Sequence, residues 1–454
     1  MELNVLTALS PLDGRYRSKV AALVPYFSEY ALIRYRIRVE VEYFIALHDA
    51  APAPLAPLPV AAQTRLRTLY EQFSGEDAAR VKAIEATTNH DVKAVEYFMK
   101  ERIAAWGDET LTRHLEFVHF GLTSQDINNT AIPLQLSEAL REVYLPLLEQ
   151  VIATLRSQAD AWRAVPMLAR THGQPASPTT LGKEWAVFVA RLDQHARELA
   201  ALPMPAKFGG ATGNFNAHYI AYPDIDWQAF ARQFVAQLGL HRSYPTTQID
   251  HYDGLARVFD CLRRINSIVT DLCQDSWLYI GMEYFRQETK AGEVGSSAMP
   301  HKVNPIDFEN AEGNCGISTA LFEYMSRKLP VSRLQRDLTD STILRNVGVA
   351  LGHALLALGS LQRGLGKLRL NEAALAADLD ANWAVLAEAI QTILRREGYP
   401  QPYEALKALT RGQQIDAASL AAFVAGLDIA PAVKAELLAL RPGHYLGDAA
   451  GMSW

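Results

Sequence analysis

The run Leu255, Val258, Leu262, Ile265, Val269 and Leu272 spaces apolar residues alternately three and four apart. Over about five helical turns that period draws one continuous stripe, which must be covered by other helices. It therefore commits this part of the chain to a helical bundle. Two further stripes repeat the signal: Leu140, Tyr144, Leu147, Val151 and Leu155, then Trp185, Phe188, Leu192 and Leu199. Pro146 falls inside the second and predicts a kink or a helix start there. Period-two alternation is scarce throughout, so the expected fold class is all-α.

At 454 residues the chain exceeds what one hydrophobic core supports, and about two or three domains are expected. Shorter helical patterns flank the long ones. They divide the chain into an N-terminal helical domain over 1–111, a central long-helix domain over 112–365 and a C-terminal helical domain over 366–454. The proline-rich insert Ala50 to Val60 reads as an extended connection within the first domain. Near the end, Trp383, Leu386, Ile390 and Leu394 mark a helix over Asp380 to Glu397, stopped by Gly398 and Pro400. Three seams on separate long helices fit either a homo-oligomer or a monomeric bundle.

A net charge of −6 lacks the basic footprint of a nucleic-acid binder, but it leaves room for a small anion held by local arginines. The N-terminal residues show no basic region followed by an apolar run, so no secretory signal is expected. The most apolar stretch, Val347 to Leu361, contains His353 and reads as a buried core helix rather than a membrane span. Cys261, Cys273 and Cys315 fit no zinc spacing and read as reduced thiols in the cytoplasm.

Polar, breaker-rich stretches interrupt the helices. Ser10 to Tyr16 holds an Asp-Gly turn followed by Arg15. Thr87 to Val92 places His90 beside Asp91, either an oriented acid or base or a capped helix end. In His119 to Asn129, Thr123 and Ser124 stand where a helix N-terminus would receive a carboxylate or phosphate. His114 and His119 are five apart, off one helical face, and no H-E-x-x-H occurs, so no metal is expected. His172, before Gly173 and Pro175, sits in a tight turn; it is either a proton donor or a surface histidine. The glycine-rich Lys207 to Asn214 lacks the phosphate-loop pattern and reads as a tight turn or close backbone approach. Arg333, Arg336 and Arg345 offer an anion site or a solvated face. Between helices lies G-S-S-A-M-P-H-K-V-N-P, Gly295 to Pro305, which Pro300, Pro305 and its glycines keep out of regular helix.

That last loop resembles the signature of the fumarase/aspartase superfamily. S-P-L-D-G-R-Y, T-N-H-D-V, H-F-G-L-T-S-Q-D-I, T-H-G-Q-P, Q-I-D and R-D-L-T-D-S-T-I-L-R are similar to the branch of bacterial purine biosynthesis that cleaves adenylosuccinate. His301 before Lys302 separates this branch from fumarases and aspartases, which carry glycine there, and from argininosuccinate lyases, which carry glutamine.

The resemblance implies a three-domain, all-α fold with the catalytic loop at 292–305. Its central bundle is completed by tetramerisation, each active site being built from three subunits. It implies β-elimination of fumarate from adenylosuccinate, giving AMP, and from SAICAR, giving AICAR. No cofactor, nucleic acid or membrane is implied, and the compartment is cytoplasmic. His172 would be the general acid and Ser296 the general base, with Lys302 and Asn304 stabilising the charge that develops. Substrate contacts would come from Arg15, Tyr16, Asn89, His90, Asp91, Thr123, Ser124, Gln248, Ser297, Arg336, Ser341, Thr342 and Arg345. A catalytically silent relative would lack the loop serine, the acid histidine or the loop lysine, and all three are present.

Overall fold

A computed structural model describes residues 4–50, 53–289, 299, 302–410 and 415–454. The architecture is mostly helical. The elements that matter for the site are α1 (Glu29–Ala50), α2 (Gly75–Thr88), α3 (Asp91–Ala105), α4 (Ser124–Ala139), α5 (Leu145–Ala161), α6 (Leu181–Ala201), α7 (Asp253–Gly281), α8 (Ile306–Lys328), α9 (Thr339–Leu344), α10 (Val347–Lys367), α11 (Glu372–Asp380) and α12 (Ala387–Arg396). Strands are confined, among the described residues, to four two-stranded pairs.

The three seams become α7, the α4–α5 run and α6, and their apolar positions are buried. Val258, Leu262, Ile265, Val269 and Leu272 of α7 have no exposed surface, nor have Trp185 and Leu192 of α6. Pro146 is the second residue of α5, where a helix start tolerates proline. Ser124 to Ala161 is one helical run, and a π-helical turn at Leu140–Tyr144 directly precedes the proline. A proline inside a helix loses one ladder bond and crowds the carbonyl four residues back; the wide turn absorbs that mismatch. The helix expected from Asp380 begins later, as a 3₁₀ turn at Trp383–Leu386 leading into α12, because α11 occupies the chain up to Asp380. Gly398, at φ 72°, lies just past its end, in the left-handed geometry expected of a terminating glycine. The segment Thr339–Lys367 is long and apolar enough to cross a membrane, contrary to the length expected of it, but 67% of its most apolar window is buried within the fold.

Two compact units emerge. The first comprises Met1–Leu148, His195–Ser267 and Gly313–Ala357, the second Glu149–Gln194, Ile268–Glu312 and Leu358–Trp454. In the first unit α1 packs Ile33, Ile37, Val41 and Phe44 against Val81 of α2 and Val95, Phe98 and Met99 of α3. Leu55 and Leu58 of the proline-rich insert are buried in this unit. The second unit contains a smaller core of Leu386, Ile390, Leu394, Leu420, Val424 and Leu437. It also has an aromatic cluster in which the Trp185 ring lies 5.5 Å from Trp162 and 5.2 Å from Phe285.

One long hairpin stands out in the second unit. Its outer rungs pair β1 (Pro166–Met167) with β4 (Thr179–Thr180), and its inner rungs pair β2 (Arg170–Thr171) with β3 (Gln174–Pro175). Gly182 follows immediately, where a Cβ would lie 2.4 Å from the Ala159 carbonyl and 2.6 Å from the Arg163 nitrogen. Only glycine lets α6 start this close to the end of α5. Gly182→Ala is expected to cost about 1–3 kcal/mol of overpacking strain, read as a lowered thermal midpoint.

Candidate active site

Helix ends assemble the candidate residues of the first unit. Asn89 closes α2 in the left-handed region, at φ 51° and ψ 33°, which asparagine tolerates well. The chain then turns directly into α3, with His90 as its cap: His90 Nδ1 accepts the Lys93 N–H at 3.1 Å. Accepting at Nδ1 leaves Nε2 to carry the proton of the neutral ring, and Nε2 lies 3.5 Å from Ser124 Oγ. His90, Thr123 and Ser124 line one cleft of about 650 Å³, together with His119 and Lys93. The N-terminus of α4 opens on it, a setting that favours an anionic group.

Asp126 fixes that helix end. Its carboxylate is fully buried and accepts from the Thr123 N–H at 2.8 Å, Gly209 N–H at 2.8 Å, Gly210 N–H at 3.1 Å and Lys207 Nζ at 2.7 Å. Lys207 is equally buried and also donates to the Gly210 carbonyl. Burial pulls the Lys207 pKa below the ordinary lysine range, against the opposing pull of Asp126. The glycine-rich stretch is thus a cradle for a protein carboxylate. Gly210 sits at φ 78° and Gly213 at φ 84°, and a Cβ on Gly213 would lie 2.3 Å from the Thr246 carbonyl.

Two residues beyond Thr246, Gln248 donates to the Ala211 carbonyl at 3.1 Å and accepts from Arg336 Nη1 at 3.4 Å. Arg336 also donates to Ser341 Oγ at 3.2 Å, in the first turn of α9. Beneath them Asp340 accepts from the Tyr252 hydroxyl at 2.8 Å, and Tyr252 accepts from Asn129 Nδ2 at 2.8 Å. Gln248, Arg336 and Ser341 therefore form a polar cradle, while Arg333 is mostly exposed and paired with Asp337 at 3.1 Å. Thr342 lies one residue on in α9, its carbonyl bonded by the Asn346 side chain.

Arg345 meets the His90 region by another route. Its Nη2 is 3.2 Å from Asp91 Oδ2, which also accepts from the buried Arg36 at 2.7 Å. Burial works to raise the Asp91 pKa, but Arg36, the Val92 N–H and Arg345 outweigh it and hold the carboxyl below its usual range. Arg15 and Tyr16 stand apart in an exposed N-terminal turn, the guanidinium 5.9 Å from its neighbour's ring. Tyr16 packs on Leu12, Val20 and Leu356.

The remaining candidates belong to the second unit. His172 and Gly173 form the hairpin tip, at φ 54° and 75°. Positive φ at both central residues is a type I′ turn, the geometry that suits a two-residue hairpin. Lys302 is exposed and its N–H bonds the Met299 carbonyl at 3.1 Å; Asn304 follows, half-buried. Ser296, Ser297 and His301 lie outside the described residues.

Several residues that shape the candidate site are not evident from the sequence. Asp126 and Lys207 are one pair, and Arg36, the buried partner of Asp91, is a second case. The third is His119, weighed from the sequence only as a metal ligand, which lines the cleft at φ 61° with Nδ1 2.5 Å from Glu40 Oε1. Burial would lower the His119 pKa, but the fully buried Glu40 carboxylate more than offsets it and the net direction is upward. Nearby, burial pushes His218 down to about 4, with its Nε2 2.9 Å from the Tyr43 hydroxyl. Among the described residues one set of potential metal ligands comes together, His195, Glu198 and Cys261, with ligand atoms within 4.8 Å of one another. None of the candidate site residues belongs to it.

The sequence pattern of a family described as Lyase matches residues 14–317. The solved 3-carboxy-cis,cis-muconate lactonizing enzyme of Pseudomonas putida shares the fold, with a TM-score of 0.73 at 23% identity over 95% of this chain and 94% of that one. The fold and the family match together define a lyase of the fumarase/aspartase type. Residues 332–446 match a second pattern, described as Adenylosuccinate lyase C-terminal. The adenylosuccinate lyase of Dictyostelium discoideum is 55% identical over 98% of both chains, and that of Escherichia coli K12 is 50% identical over 100% of this chain and 99% of its own. The chain belongs to the adenylosuccinate lyase family.

Lys207→Met would strand Asp126 as an unpaired buried charge and is expected to destabilise the fold by about 3–5 kcal/mol, measurable by denaturant unfolding. The His119–Glu40 pair supplies a pH signature. A histidine that binds its proton more tightly folded than unfolded adds stability below the ordinary imidazole range, and this stability fades as pH rises through the raised value. Glu40→Gln is expected to move the His119 titration, followed by NMR, to lower pH and to flatten that dependence.

Proposed function

We propose that this chain cleaves adenylosuccinate to AMP and fumarate, and SAICAR to AICAR and fumarate, by general acid–base β-elimination. The observation that carries the reading is the first unit's arrangement. A cleft lined by His90, Thr123 and Ser124 at a helix N-terminus occurs with a cradle of Gln248, Arg336 and Ser341, positions that match the family's substrate contacts.

The reaction removes a weakly acidic proton next to a carboxylate and expels the purine nitrogen, or its imidazole counterpart. The resulting carbanion is a dianionic aci-carboxylate. It is reached only where fixed donors and positive charge await it, an effect worth about 3–4 kcal/mol for a single well-placed donor. Lys302 and Asn304 supply that support in this reading. Ser296 takes the proton, assisted by loop N–H groups and Lys302. His172 protonates the departing nitrogen, a step suited to an imidazole near neutrality.

Thr123 and Ser124 hold the succinyl carboxylates, and Asn89, His90 and Asp91 orient that end. Ser297 and Gln248 add further contacts, while Arg15, Tyr16, Arg336, Ser341, Thr342 and Arg345 hold the nucleotide phosphate. No metal or organic cofactor enters the scheme. The working form is a homotetramer in which each active site draws on three subunits, with the chain divided into the segments 1–111, 112–365 and 366–454. In support, Val187 on α6, Trp277 and Leu278 on α7, and Ile317 and Tyr324 on α8 leave apolar surface exposed on the single chain. Three buried cysteines held as thiols fit a cytoplasmic setting.

The purified protein should release fumarate from adenylosuccinate and SAICAR, followed by ultraviolet absorbance, and none from argininosuccinate. Silence on adenylosuccinate would sink the reading. Ser296→Ala should lower kcat roughly 10²–10⁴-fold with little change in KM, the range expected of a lost general base.

A further inference from the structure

The carriage of His172 is used by the proposed mechanism without being explained by it. A proton donor works only when held within a fraction of an ångström of its target, and about 1 Å of misplacement costs about 100-fold. Yet His172 sits exposed at the tip of a narrow hairpin, on a turn of two residues. Something must stop the hairpin from swaying.

Beyond its own root at α6, side-chain tethers tie the hairpin to the C-terminal segment. Arg170, two residues before His172, places Nη2 2.8 Å from Asp378 Oδ1 and 2.7 Å from Oδ2, gripping both oxygens of the carboxylate. Asp378 is in turn fixed by the Tyr284 hydroxyl and by Asn382 Nδ2, which reaches Oδ1 at 3.2 Å and the Asp378 carbonyl at 2.7 Å. Five residues beyond His172, on the returning arm, Ser177 donates to Glu388 Oε2, and the same oxygen accepts from the Tyr445 hydroxyl at 3.0 Å. One carboxylate thus anchors the outgoing arm and another the returning arm. Each is itself held by a tyrosine, and both lie in the segment matching the family's C-terminal pattern.

From this geometry we infer that Asp378 and Glu388 are positioning residues for the general acid, the C-terminal segment serving as the bracket that aims His172. The inference rests on the reading of His172 given above. Salt-bridged and hydrogen-bonded carboxylates suit the task, because charge-assisted bonds are short and directional. Neither carboxylate is among the groups proposed to touch substrate.

The test compares Asp378→Asn, Asp378→Glu and Glu388→Gln in the full-length protein. For Asp378→Asn, kcat on adenylosuccinate should fall about 10- to 100-fold with KM within about twofold. Asp378→Glu should recover part of that loss, and Glu388→Gln should show a smaller loss of the same kind. In a His172→Ala background, assayed at high enzyme concentration, Asp378→Asn should remove nothing more. A parental kcat, a rise in KM at constant kcat, or an undiminished loss in the His172→Ala background would each overturn the inference. Should circular dichroism show Asp378→Asn to be unfolded, Tyr284→Phe and Ser177→Ala, which each delete one hydrogen bond to a bracket carboxylate, are judged by the same criteria. His172→Ala alone separates the two readings. Parental turnover there removes the acid assignment, whereas an impaired His172→Ala beside a normal Asp378→Asn removes only the bracket.

Discussion

Much of the first unit's site depends on one buried carboxylate. Asp126 has no solvent, and a buried ion pair with Lys207 is by itself a poor source of stability, because desolvating both charges consumes most of what their attraction returns. Its value is geometric. Donors from three places, the start of α4, the Lys207 side chain and two glycine N–H groups, converge on two oxygens, so each is fixed relative to the others. Placement then propagates along covalent and close contacts: Gly213 packs on Thr246, Gln248 follows, and Gln248 meets Arg336, which meets Ser341. The cleft and the polar cradle share one foundation.

The electrostatics follow a similar pattern. An acidic chain proposed to hold a polyanion keeps its cations already engaged: Arg345 and Arg36 on Asp91, Arg336 on Ser341 and Gln248. Such arginines lose little side-chain entropy when a ligand arrives, since their rotamers are already occupied, and part of the cost of ordering them is met by folding. Asp91 holds two guanidinium groups at once.

What could be read without coordinates follows from the range of each interaction. The seams were legible because a heptad is local, and His90, Thr123 and Ser124 were legible as caps because capping spans three or four residues. Thr123-x-x-Asp126 even has the form of a capping box, and the aspartate does bond the Thr123 N–H. Its larger role was hidden because Lys207 and Gly210 come more than eighty residues later. The glycines there showed a close approach but not what was approached. Glu40 and His119, and Arg36 and Asp91, are likewise separated by whole helices. The compact units interleave distant segments, a grouping that composition along the chain does not display.

The type I′ tip of the hairpin bears on how the enzyme could be re-engineered. Both of its central positions require left-handed backbone, which most side chains enter only at a cost of about 1–2 kcal/mol. Asparagine, aspartate and histidine pay least for that conformation. Of these, asparagine cannot exchange protons and aspartate is ionised at neutral pH, so histidine alone satisfies both the backbone and the proposed role of proton donor. A search for alternative donors at position 172 would therefore have to rebuild the turn before it could change the acid proposed there.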